Sequence, residues 1–373
     1  MHHGAEASEG GTCLSAGATG GYIIVFRHYP WFMARQTNYI SKPEPAVLEI
    51  QFNLPPGTAY LDINQVLSLV NRKFLRQGMQ VPVASMEVQF EPLPAQTYAT
   101  GTVLIQKLPT TWIMANSWNK GFRAWSRMND NALAENESIR PKFLDYKVYA
   151  DADHHALGVN ANIMPTSIPN KGEWEMSKYE IPTGSAGTQG ATASREVVAT
   201  GGNYPGLGAS GLDAVSLIEG YAAGRGLPDV LDPNVPDDAD SADGFNPANW
   251  ASAVFNEGTT QIDGVLEDMI TENNISPYPF ENGEIVNFPG TYWTDTMYPN
   301  GANQTPGLAF HDKLLITTTT IGGSDTAIGG VFPCGLVRFD TAIENGTATL
   351  ILRLIPGDER GYLQEPMQEM NRQ

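Results

Sequence analysis

The sequence predicts an all-β chain: a single jelly-roll β-sandwich with helices and one large acidic insertion between strands. Three observations predict it. Short segments rich in β-branched and aromatic residues recur, bounded by Gly, Pro, Asn or Asp. The 38 glycines and 26 prolines among 373 residues follow no collagen-like period, so they mark turns between short elements. No segment repeats at a fixed spacing, which argues against propellers and solenoids.

The expected strands are 22–28, 47–53, 79–91, 100–108, 143–150, 173–180, 313–321, 331–340 and 347–355. Several alternate cleanly, as in Val81 and Val83 followed by Met86, Val88 and Phe90, where the change of phase near Ser85 predicts a bulge. Two segments have helical spacing instead. One opens at Asp62 as N-cap and puts Val66, Leu69 and Val70 on one face. The other covers 116–130, with Trp118, Phe122, Trp125 and Met128 in a stripe that reads as core packing. Weaker helices are expected over 212–223 and 262–271. From 181 to 298 the composition turns to Gly, Pro, Asn, Asp and Ser, and strand signals nearly vanish. The expected organisation is a flexible arm over 1–20, a shell-like sandwich over 21–180 and 299–373, and a surface insertion over 181–298.

The formal net charge is −19, placed unevenly. Residues 201–300 hold 16 acidic side chains against the single Arg225, so this block should be solvated and exposed, facing outward. No apolar run approaches the roughly 18 residues that cross a membrane, so no membrane insertion is expected. The first twenty residues carry no Lys or Arg and no long apolar stretch, unlike a secretory signal. Two cysteines, Cys13 and Cys334, make neither a disulfide framework nor a zinc site and read as plain thiols.

No constellation reads as a catalytic centre, and the chain is expected not to be an enzyme. Gly206-Leu-Gly-Ala-Ser-Gly211 spells a dinucleotide fingerprint, but Asn203-Tyr204-Pro205 stands where a buried strand should precede it. His154 and His155 beside Asp151 and Asp153 suggest a metal, yet neighbours on a strand point to opposite faces, so strand-end solvation is expected. No cofactor is firmly implied. The credible metal ligands are Asp237, Asp238, Asp240 and Asp243, hard oxygen donors before Gly244 that could take calcium at a subunit boundary. The densest basic patch is Arg72, Lys73 and Arg76, with Arg27, Arg35, Arg123 and Arg127 in the same half of the chain. These are candidate phosphate contacts, although a helix C-terminus would also favour Arg72 and Lys73.

Three stretches, 62–80 (DINQVLSLVNRKFLRQGMQ), 107–128 (KLPTTWIMANSWNKGFRAWSRM) and 352–370 (LRLIPGDERGYLQEPMQEM), resemble capsid proteins of circular Rep-encoding single-stranded DNA viruses, especially unclassified environmental ones and those with a bacilladnavirus-like coat. The resemblance implies subunits that self-assemble into an icosahedral shell around a single-stranded DNA genome. It also implies a virion, assembly in the host nucleus, and a host receptor that the sequence does not identify. Such proteins usually begin with a basic arm, absent from residues 1–20. Either the inner wall, through Arg72, Lys73 and Arg76, takes over neutralisation, or the native start lies upstream of Met1. The alternative class is a secreted carbohydrate-binding or adhesin β-sandwich, calcium-dependent through the acidic run, for which sequons at Asn136, Asn274, Asn303 and Asn345 would matter. A β-sandwich hydrolase would need a defined carboxylate pair, and an acidic sequence offers too many.

Overall fold

The computed structural model describes residues 46–135, 145–168, 170–182, 192–225, 246, 250–251, 254, 285–287, 291–293 and 307–372. The expected arm 1–20, strand 22–28, helix 262–271 and acidic run 232–244 lie outside the described residues. In chain order the elements are β1 (Glu49–Leu54), β2 (Gly57–Asp62), α1 (Ile63–Asn71), β3 (Met79–Pro92), β4 (Thr100–Lys107), α2 (Trp112–Glu135), α3 (Ala152–Leu157), β5 (Lys178–Pro182), β6 (Thr192–Val198), β7 (Ala214–Ser216), α4 (Leu217–Arg225), β8 (Ile285–Asn287) and β9 (Thr291–Trp293). There follow β10 (Ala309–Ile316), β11 (Ser324–Ala327), β12 (Gly330–Phe332), β13 (Leu336–Glu344), β14 (Gly346–Leu354), β15 (Pro356–Gly357), β16 (Gly361–Tyr362) and β17 (Glu365–Pro366). The chain is mostly β, with predominantly antiparallel sheets.

One sheet runs β1-β14-β3-β11, with β12 and β17 also on β3; a second runs β10-β4-β13-β2. Alternation explains how they bury their faces. β1 alternates exposed and buried residues, sending Ile50, Phe52 and Leu54 inward. The same apolar cluster takes Val88 from β3, Leu350 and Leu352 from β14, Leu61 from β2, Ile105 from β4 and Phe339 from β13, so both sheets share one core. The expected bulge is present: along the β3–β14 pairing Arg353 faces Ser85 while Leu354 faces Val83, leaving Ala84 unmatched.

Antiparallel parity sorts the links between these strands into two ends. Residues 55–56, 93–99, 317–323 and 345 are short turns at one end. Residues 63–78, 333–335, the tail after β14 and the long link that leaves β4 at Lys107 and returns to β10 at Ala309 all start from the other. The chain therefore leaves the two-sheet frame after β4, and the boundary expected at 181 falls inside β5.

At this busier end a second layer covers the outer face of the β2 and β13 strands. Ala59 and Leu61 point into the shared core while Tyr60 points away from it, into a cluster with Leu336, α2, β5, β6, β7 and α4. Residues 59–62 are consequently all buried. The aromatic stripe of α2 faces this cluster: Trp118 and Trp125 are buried, and Phe122 stacks on Trp118 at 5.3 Å between ring centroids. Tyr179 donates to the carbonyl of Gly121 at 2.7 Å, an approach that a Cβ at that position would obstruct.

Some expectations shift. Residues 145–150 form an extended segment with a bridge from Tyr149 to Val198 in place of a full strand. The expected strand 331–340 breaks at Pro333-Cys334-Gly335, where Cys334 and Gly335 take positive φ, and its halves β12 and β13 join different sheets. Strands β2, β8, β9 and β11 appear where none was expected, as do β6 and β7, which pair in parallel. Their apolar residues are few and interrupted by Ser194, Arg195 and Glu196, so no period stands out in the sequence.

A buried polar network ties the layers together. Asp62 caps α1 by accepting from the Gln65 N–H at 3.1 Å. Its other oxygen accepts from Gln77 Nε2 at 2.9 Å and from Trp174 Nε1 at 3.0 Å. Gln77 in turn accepts from the Val148 N–H and donates to the Val148 carbonyl. A second chain starts at the Ala150 N–H, which donates to His154 Nδ1. That bond leaves the ring proton on Nε2, which donates to Asn162 Oδ1; Asn162 Nδ2 donates to Gln65, and Gln65 Nε2 to the Lys171 carbonyl. Each amide thus has one consistent orientation.

Burial raises the Asp62 carboxyl to about 6, against the opposing pull of the Gln65 N–H, Gln77 and Trp174. Burial also holds the His154 imidazole down at about 4. From pH 4 to 6 the folded chain binds more protons at Asp62 than the unfolded chain does, so this contribution to stability falls as pH rises. At His154 the unfolded chain binds more protons between about 4 and its ordinary value near 6.5, so that contribution rises with pH. Each amounts to roughly 3 kcal/mol and they oppose each other. Asp62→Asn is therefore expected to make the chain acid-labile between pH 6.5 and 4. His154→Gln should instead lose stability as pH rises from 4 to 6. Urea unfolding across that range checks both, and slopes of the same sign in the two variants would contradict the assignment.

Candidate functional site

The candidate nucleic-acid interface is a basic corner at the end of α1. The helix stops because Arg72 takes a left-handed conformation, φ 53°, with its N–H donating to the Ser68 carbonyl. Residues 72–76 then fold back on the helix. The Lys73 N–H also donates to the Ser68 carbonyl at 3.2 Å, and the Leu75 N–H to the Ser68 hydroxyl at 2.8 Å. Leu75 enters the shared core, while Arg72, Lys73, Phe74 and Arg76 remain exposed. From the other side the C-terminal segment clasps this loop: Arg360 donates to the Phe74 carbonyl at 2.6 Å, and Asn71 to the Tyr362 hydroxyl at 2.7 Å.

The three predicted cations thus stand on one short loop with a fourth, Arg360, brought in from far along the chain. Beneath them Lys147 is buried, paired with Asp145 and lying 4.4 Å above the Trp174 ring. Glu359, 3.9 Å from Arg360, and Asp145, close enough to Arg76 to feel its charge, are acidic groups at the corner's edge. Sequence reasoning missed Arg360, and the signal that could have found it is its place in the third stretch carrying the resemblance. Arg27 and Arg35 lie outside the described residues, as do Asp237, Asp238, Asp240 and Asp243. Arg123 and Arg127 are exposed on α2. Among the described residues no group of three or more His, Cys, Asp or Glu is placed to hold a metal ion, and no helix is long and apolar enough to cross a membrane.

The histidine pair requires a correction. His154 and His155 lie on α3, not at a strand end, and both are buried rather than solvated. Asp151 is the reason, since its side chain caps the helix by accepting from the His154 N–H at 2.8 Å. Helical geometry lets adjacent residues both turn inward: His154 stacks on Tyr60 at 4.1 Å, and His155 Nε2 sits 3.1 Å from Glu196. The glycine motif is spent on its own turn. Gly206 donates to Asp213, Gly208 to the Leu212 carbonyl and Gly211 to the Gly208 carbonyl, so these amides do not form a phosphate cradle. Gly208 packs so closely on His155 that a Cβ would come within 2.5 Å of the ring nitrogen. Cys334 is a buried free thiol, with burial pushing its pKa up.

An open cleft of about 240 Å³ is lined by Gln106, Asp151, Asp153, Thr200, Leu308 and Arg338 among others. Its guanidinium is already committed. Arg338 donates from one terminal nitrogen to Asp151 and Asp153, both at 2.8 Å, and from Nε to Asp340. With three carboxylates around one cation the cleft does not attract anions, and among the described residues the loop at 72–76 is the stronger anion-binding candidate. Comparison with protein-family models, curated proteins and solved structures finds no match to this chain.

Arg338→Met is expected to cost about 2 kcal/mol of unfolding free energy. That is less than for a fully buried network, because these groups keep some contact with water. Lys178→Met, which removes the exposed pair with Glu175, should stay within about 0.5 kcal/mol of the parent. Chemical denaturation of the two variants checks the contrast.

Proposed function

We propose that this chain is a non-catalytic viral capsid subunit, built on a single jelly roll, that self-assembles into an icosahedral shell around single-stranded DNA. The observation that carries the reading is the strand order. Counting β11 and β12 as one edge strand broken at 328–329, the frame has eight strands: β1, β2, β3, β4, β10, β11–β12, β13 and β14. In the sheets the first pairs with the eighth, the second with the seventh, the third with the sixth and the fourth with the fifth. A long antiparallel ribbon folded over on itself would pair its strands in this way, which supports the jelly-roll reading.

The three stretches of the resemblance also meet in space. Met367, from the third, packs in the cluster that holds Ile113 and Trp118 of the second, and its N–H donates to the Gly78 carbonyl of the first. In this reading Arg72, Lys73, Arg76 and Arg360 meet the phosphates of the genome. The acidic residues of 181–298 face away from it, since like charge would oppose packaging.

Negative-stain microscopy and light scattering of the purified full chain test the reading. Uniform closed particles are expected, and a monomer that persists across salt and calcium concentrations would contradict it.

A further inference from the structure

The basic corner holds an aromatic side chain that phosphate binding does not require. Phe74 stands between Lys73 and Arg76 with about two fifths of its surface exposed. Its carbonyl is fixed by Arg360, and the flanking residues are held by Ser68. Its ring is backed by Trp174 at 6.3 Å, tilted by 49°. Trp174 is buried and anchored through its indole N–H on Asp62. A large apolar ring exposed on a loop would be expected to turn into the core. Here Leu75 fills the core position, and Phe74 is held outward by a clamped backbone and a rigid neighbour.

We propose that Phe74 is a base-stacking platform, and that the corner recognises unpaired rather than duplex nucleic acid. The inference rests on the phosphate-binding reading of the corner and goes beyond it. Phosphate contacts from Arg72, Lys73, Arg76 and Arg360 do not by themselves favour a single strand, because a duplex presents the same phosphates at higher charge density. An exposed ring among those cations does distinguish them. Only an unpaired base can swing out to lie on it, and every base has a π-face, so the preference is for single strands without regard to sequence. The clamp on the loop means little ordering entropy is lost on contact.

The test is fluorescence anisotropy of the full chain with a labelled oligothymidine and with a duplex of the same length, each titrated with salt. Phe74→Ala and Phe74→Leu should both lose about tenfold or more in affinity for oligothymidine, the worth of a stacked base. The slope of affinity against salt should not change, and duplex binding should be unaffected. Phe74→Trp should retain single-strand affinity, and Phe74→Leu separates stacking from mere apolar bulk. The combined Arg72→Ala, Lys73→Ala and Arg76→Ala variant should lower the single-strand salt slope by about 2. If that variant loses slope while Phe74→Ala binds oligothymidine like the parent, stacking is overturned and the phosphate reading stands. Equal weakening towards single strand and duplex on Phe74→Ala would also overturn it. If neither change alters binding, the corner is not a nucleic-acid surface and both readings fall.

Discussion

The carboxylate of Asp62 is the point on which the rest of the structure turns. It ends β2, begins α1, receives Gln77 on the approach to β3, and holds the indole of Trp174. Burying a carboxylate is costly unless its lone pairs are taken up, and here three N–H donors from three separate parts of the chain do so. Because each donor is itself anchored, the group specifies an arrangement as well as stabilising it. Gln77 reaches the backbone of Val148 in the second layer, and Trp174 lies under the exposed loop.

Two constraints meet at that end of the molecule. The strand pairing sends every long link to one end of the frame, so the helices, the β5-β6-β7 sheet and the C-terminal segment must pack there together. That crowding buries both faces of the β2 strand and requires polar side chains to satisfy irregular backbone, which is the work of Asn64, Gln65, Gln77 and Asn162. It also presses the tail against the end of α1, where Arg360 joins Arg72, Lys73 and Arg76. The basic corner is thus a consequence of topology, assembled from residues nearly three hundred positions apart in the chain.

The sequence made legible what depends on local period and local chemistry. Asp62 could be read as a cap, the stripe from Trp118 to Met128 as core, and the slip near Ser85 as a bulge, because each leaves its signature within a turn or two of chain. Arg72, Lys73 and Arg76 were visible as a cluster for the same reason. What depends on distant partners was not legible. β6 and β7 carry too few apolar residues to show a period, and they are strands because β6 pairs with both β5 and β7 and their apolar residues join the cluster that holds the α2 stripe. His154 and His155 looked like a solvated strand end, since the receiving surface of Tyr60 and Glu196 comes from elsewhere, although the capping Asp151 is local and was read beside them as a metal signal. Arg360 gave no local sign of its role, and neither did Phe74, whose place outside the core depends on Leu75, Arg360 and Trp174.

If one buried carboxylate couples the frame, the second layer and the basic loop, its removal must be felt in all three. Hydrogen exchange on Asp62→Ala, resolved by peptide mass spectrometry at neutral pH, measures this directly. The account predicts that amides of the first turn of α1, of residues 145–150 and of the 72–76 loop lose protection together, while β1 and β14 keep theirs. A loss confined to the first turn of α1 would reduce Asp62 to an ordinary helix cap and contradict the account.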